Sequence, residues 1–205
     1  MDMVNDCKIE WNSLSPQEWG ERFARIPRSN LLQSYDYALA VCPLQHLHGR
    51  WGLVTIDGAE AGLVQILETG AFKNALHAVI LDRGPLWFDG FGSPAHITAF
   101  FETFNRAFPR RLGRRRRIIP EIPDTPEMRN IMEEGSFKRL GRPGYQTIWL
   151  DLTNDTETLW QGMESSWRNM VRKAQKAGLV LAWDIQGKEI PELLRIYQSE
   201  KATKG

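Results

Sequence analysis

The chain has 205 residues, enough for one large domain or for one domain and part of another, and its 26 basic against 25 acidic side chains leave a formal charge of +1. No global field therefore draws it to nucleic acid or to a membrane, and any such partner must be met by a local patch. Cys7 and Cys42 lie far apart and argue against a disulfide framework or a zinc knuckle. No apolar run approaches the roughly 20 residues of a membrane span, and the acidic opening Met1–Asp6 lacks the basic and apolar regions of a signal peptide. These features predict a reduced, cytoplasmic setting and no metal centre.

In chain order, Cys7 to Trp11 alternates as a short strand. Ser15-Pro16-Gln17-Glu18 supplies an N-cap, a first-turn proline and a capping-box acid, predicting a helix to about Arg25. Pro27 and Pro43 bracket a second helix, Ser34 to Val41. Arg50 to Ile56 and Glu60 to Leu67 flank Asp57-Gly58, a strong hairpin signal, and His77 to Leu81 is a third strand. Ser93-Pro94 caps a helix carrying Ile97, Phe100 and Phe101. Arg116 to Ile122 is predicted as a strand, and Asp124-Thr125-Pro126-Glu127 opens a helix that Gly135 closes.

From Gln146 the pattern restarts. A strand to Leu152, helices Thr156 to Met163 and Ser165 to Ala177, a stop at Gly178, a strand Leu179 to Asp184 and a helix from Ile190 to about Ala202 are predicted. The expected fold class is α/β with a mixed sheet, a first domain over residues 1–145 and an incomplete second one over 146–205. An unpaired sheet edge would be left there unless a second copy or another partner chain covers it.

Six arginines fall within Arg110–Arg117. Arginine pairs bidentately with phosphate, so Arg114, Arg115 and Arg116 are candidates for docking a pyrophosphate, a lipid headgroup or a tRNA backbone. A solvated loop balanced by nearby acids is the competing interpretation. On the helix from Ser165, Trp167, Met170, Val171 and Ala174 form an apolar stripe, while Arg168, Arg172 and Lys176 recur on another face, open to an anionic substrate or to solvent. The stretch Leu81 to Ser93 lacks the spacing of a coenzyme A pyrophosphate loop. His46-x-His48 lacks further metal partners.

The runs Leu32-Gln33-Ser34-Tyr35-Asp36-Tyr37, Arg83-Gly84-Pro85, Ile119-Pro120-Glu121-Ile122-Pro123, Thr147-Ile148-Trp149-Leu150-Asp151-Leu152 and Trp167 to Leu179 together resemble the FemAB family of peptidoglycan interpeptide-bridge aminoacyltransferases and its acetyltransferase-type relatives. The resemblance implies paired GNAT-like acyltransferase domains and transfer of an acyl group to an amine of a cell-envelope precursor. It also implies a nucleotide-linked or lipid-linked glycopeptide acceptor and a donor of aminoacyl-tRNA or acyl-CoA type, with no tightly bound cofactor. On the matching motifs it points to Gln33, Tyr35, Asp36, Arg83, Arg168 and Arg172 as substrate-binding residues. One departure is plain: Tyr37 to Val41 carries no lysine where the family often has one. Aminoacyl transfer needs positioning and oxyanion stabilisation more than a triad, so no catalytic residue is assigned. The rival expectation is a non-catalytic binding or assembly module completed by a partner chain.

Overall fold

The structure, a computed structural model, describes residues 4, 6–141 and 150–204. The chain divides into two compact units, Met1–Tyr145 and Gln146–Gly205.

In the first unit the order is β1 (Cys7–Trp11), α1 (Pro16–Phe23), a short 3-10 turn (Leu31–Gln33), α2 (Tyr35–Gln45), β2 (His48–Ile56), β3 (Ala59–Ala71), β4 (Leu76–Gly84), β5 (Leu86–Trp87), α3 (Pro94–Ala107), β6 (Arg114–Pro120) and α4 (Pro126–Glu134). The helix starts follow from local chemistry. Ser15 and Glu18 form the expected capping box, Ser93 and His96 form another, and Thr125 caps α4. Asp57 and Gly58 both take positive φ, the geometry of a two-residue hairpin turn, and join β2 to β3.

The sheet runs β1-β2-β3-β4-β6, with β5 paired to β3. Pairing is antiparallel except between β4 and β6, which the crossover through α3 makes parallel. Both faces are covered, so the central strands are apolar at consecutive positions. One face packs Val54, Val64, Ile66, Val79 and Leu81 against Ile97, Phe100, Phe101 and Phe104 of α3. The other packs Leu53, Leu63 and Leu86 against Trp19 and Ile26.

Three boundaries differ from expectation. Helix α2 continues through Pro43 to Gln45, since a proline in the last turn removes little that the helix end was using. Strand β6 begins at Arg114 rather than Arg116, because its pairing with β4 starts at His77↔Arg114. The two-residue strand β5 was too short to leave a periodic signal.

The second unit contains α5 (Thr156–Gly162), α6 (Ser165–Lys176) and α7 (Ile190–Lys204). Asp155 caps α5, and Gly178 at φ +68 ends the α6 segment. The predicted strand Leu179 to Asp184 is corrected: these residues are irregular. Apolar alternation there met no neighbouring strand among the described residues, and a strand without a ladder is not stable. Leu181, Trp183 and Ile185 are consequently 93%, 93% and 94% exposed. The expected strand Gln146 to Leu152 lies partly outside the described residues, and its described part, Leu150 to Leu152, is not a strand.

Candidate functional site

In open sheets with parallel strands, ligands bind outside the carboxyl ends of those strands. Here those ends belong to β4 and β6. Their register breaks between Asp82 and Gly84, leaving Arg83 as an extra residue with φ 54, a left-handed conformation uncommon outside glycine. Arg83 is held by a bidentate pair with Glu121, Nε to Oε2 at 2.7 Å and Nη2 to Oε1 at 3.0 Å, and the contact raises its guanidinium pKa. Asn30 donates to the Arg83 carbonyl at 2.9 Å. A cis peptide joins Gly84 to Pro85. Strained backbone kept by its surroundings collects at functional sites.

Beside it, Oδ1 of Asp82 is buried without a hydrogen-bond partner, and Arg117 stands 3.9 Å from Oδ2. An unpaired carboxylate oxygen is costly to bury, and it is poised to accept from a ligand donor such as an ammonium group. The edge thus combines one open acceptor with guanidinium groups, suited to an acceptor carrying both an amine and an anion.

The residues singled out from sequence fall into three places. Gln33 is buried behind this edge. Its amide donates to the carbonyls of Gln65 and Asp82 and accepts from the N–H of Gln65, so it serves as scaffold. Tyr35 stacks on Trp51 with centroids 4.3 Å apart, and the Trp51 indole donates to Gln65 Oε1. Asp36 is exposed in the first turn of α2, where a carboxylate suits the helix dipole. Arg83 is at the edge itself.

The arginine run does not form the single cluster expected of Arg114, Arg115 and Arg116, because strand alternation splits it. Arg114 donates to His77 Nδ1 and to the Pro109 carbonyl. Arg116 donates to Asn105 and the Phe108 carbonyl and lies over the Phe137 ring. Burial, then repulsion from neighbouring arginines, lowers the pKa of both. Arg115 and Arg117 are exposed on the other face.

In the second unit, Arg168 donates to the carbonyls of Gln161 and Met163, closing the end of α5, and Arg172 lies over the Trp160 ring at 5.3 Å. Sequence reasoning did not single out Asp82 and Asn30. An aspartate two residues before Gly84-Pro85 was the one available cue, and its meaning depends on the bulge. Among the described residues, no group of three His, Cys, Asp or Glu side chains is placed to hold a metal ion.

No family model and no curated protein sequence matches the chain. Among solved structures it is similar to FemX, with a TM-score of 0.63 and 20% identity over 94% of this chain and 50% of the FemX chain. The chain thus spans about half the length of that relative. A looser match, TM-score 0.38 and 18% identity over 71% of this chain and 100% of the other, is to ribosomal-protein-alanine N-acetyltransferase from Brucella melitensis biovar Abortus 2308. The chain therefore has a FemX-like fold, the GNAT-type mixed α/β architecture that its motifs imply.

Proposed function

We propose that the chain is an acyl- or aminoacyltransferase-related protein that acts on an amine of a peptidoglycan-like cell-envelope precursor in the cytoplasm, holding that acceptor at the carboxyl edge of β4 and β6. The observation that carries this reading is the buried, unpartnered Oδ1 of Asp82 beside Arg83 and Arg117. An incoming ammonium group satisfies the carboxylate, and the guanidinium groups take the acceptor's phosphate or carboxylate. In the transfer, the amine nitrogen bonds to the donor's carbonyl carbon, and the ester C–O or thioester C–S bond breaks. Asp82 accepts the amine proton and the leaving oxygen or sulfur is protonated in turn. FemX is known here by its fold and name alone, so the nucleotide-linked or lipid-linked glycopeptide acceptor and the aminoacyl-tRNA or acyl-CoA donor belong to the proposal.

Calorimetric titration of the whole chain with a UDP-linked muropeptide tests it. Saturable binding that weakens with salt and falls about ten-fold or more in Asp82→Asn supports the reading, on the scale of a lost charge-assisted hydrogen bond. Absence of binding by the folded chain, or binding indifferent to Asp82→Asn, overturns it.

A second reading, an assembly module completed by a partner chain or a second copy, is favoured by the exposed apolar segment Leu179 to Ile185. A single species at the monomer mass in sedimentation velocity, unchanged up to high concentration, counts against a second copy.

A further inference from the structure

The opposite edge of the parallel pair has a different chemistry. Strands β4 and β6 begin there, and two loops lie side by side: the β3–β4 hairpin loop Phe72-Lys73-Asn74-Ala75 and the α3–β6 loop through Leu112 and Gly113. They are tied together. Arg111 donates to the carbonyls of Asn74 and Ala75, and the N–H of His77 donates to the Gly113 carbonyl at 2.8 Å. Phe72, Lys73 and Asn74 all hold positive φ, so the hairpin loop is fixed in a conformation that costs its side chains free energy.

What this fixed rim projects is apolar. Leu112 is 99% and Phe72 79% exposed, with Leu76 half out of the protein beside them. Around them stand Lys73, Arg110 and Arg115, all exposed. Residues 70–77 and 108–117 hold seven Lys and Arg and no Asp or Glu, in a chain whose formal charge is only +1. The positive charge is segregated to this rim.

We infer that this rim is a docking surface for an anionic lipid bilayer, with Phe72 and Leu112 entering the interface and the surrounding cations contacting headgroups. Apolar tips in a basic ring suit a peripheral membrane site. A nucleic-acid surface would use the cations without needing a fully exposed leucine. No helix among the described residues is long and apolar enough to cross a membrane, so attachment of this kind is superficial. The inference does not depend on the proposed transferase activity.

Co-sedimentation of the whole chain with vesicles of phosphatidylcholine containing about one third phosphatidylglycerol tests it. Binding is expected to these vesicles and not to pure phosphatidylcholine, and it weakens with salt. Arg110→Ala and Arg115→Ala each weaken it about five-fold, the scale of one cation near an anionic surface. Phe72→Asn with Leu112→Asn weakens it about ten-fold, since a buried apolar side chain contributes on that scale, and asparagine accepts the left-handed backbone at position 72. Circular dichroism confirms folding of each variant. No binding to the anionic vesicles overturns the inference, as does binding that the Phe72 and Leu112 substitutions leave unchanged. Tighter binding to a polyuridylate oligomer, lost with the arginines and indifferent to Phe72 and Leu112, assigns the rim to nucleic acid instead.

Discussion

The side-chain amide of Gln33 pairs with the backbone of Gln65 as a strand residue would, accepting its N–H at 2.7 Å and donating to its carbonyl at 3.0 Å. It occupies the point where β3 changes partner from β4 to β5, between the pairs Ile66↔Leu81 and Leu63↔Leu86.

Replacing Gln33 by leucine keeps the volume and leaves three backbone groups without partners: the N–H and carbonyl of Gln65 and the carbonyl of Asp82. Each buried orphan costs about 1–3 kcal/mol, so a loss of at least 3 kcal/mol in urea unfolding is expected. Gly84→Ala should act through the same contact, because a Cβ at Gly84 would stand 2.6 Å from the Gln33 carboxamide oxygen. A double substitution that costs about the same as Gln33→Leu alone shows the shared contact; additive losses refute it.

Asp82→Asn should be neutral or stabilising by up to about 1 kcal/mol, because it removes the charge from a carboxylate whose Oδ1 is buried and unpaired. A site kept for ligand binding at the expense of stability behaves this way. Destabilisation by more than about 1 kcal/mol in chemical denaturation would mean that the carboxylate is a structural group.

Glu60 bonds Arg22 at 2.7 Å and stands 3.5 Å from Arg25, tying α1 to β3. The hydrogen bond with Arg22 holds its pKa below the ordinary carboxylate value of about 4.3. A depressed folded pKa gives stability that is fully present above the unfolded value and is lost as pH falls through the folded one. Glu60→Gln should therefore lower the melting temperature near neutral pH, by no more than about 1 kcal/mol for a partly exposed pair, with the difference closing below about pH 4. A difference that persists into strong acid excludes the ion pair as its cause.

Arg168→Ala should loosen the junction of α5 and α6, since Arg168 satisfies the last carbonyls of α5 at Gln161 and Met163. Faster amide exchange confined to residues of α5 and the start of α6 is expected, with the first unit unaffected.

The sequence made most helix limits legible because capping is local: Ser15, Ser93 and Thr125 name their helix starts without knowledge of anything distant. Strand identity is non-local, and there the reading divided. The segment Arg50 to Leu67 announced itself through Asp57-Gly58, whereas Leu179 to Asp184 carried the same kind of alternation and formed no ladder. The arginine run was visible as composition, but which side chains reach solvent depends on where β6 begins, and a shift of two residues in its start changed which of them lie within the strand. Arg83 was singled out by its motif. Its partner Glu121 lay in another of the quoted runs, but the pairing and the neighbouring Asp82 required the fold. Gln33 sat in the expected motif and proved to be scaffold, since its partners come from two strands far along the chain.

Strands β4 and β6 run side by side from Leu76 and Arg114 to Arg83 and Glu121. Seven residues at about 3.3 Å each make this pair a rigid strut of roughly 23 Å. Whatever meets the rim at its amino end is held about two nanometres from whatever meets the bulge at its carboxyl end. A water-soluble acceptor can reach the far end freely, but a lipid-anchored one must carry its amine on a headgroup long enough to span the strut. The length of that headgroup, more than its charge, would then select among anchored substrates.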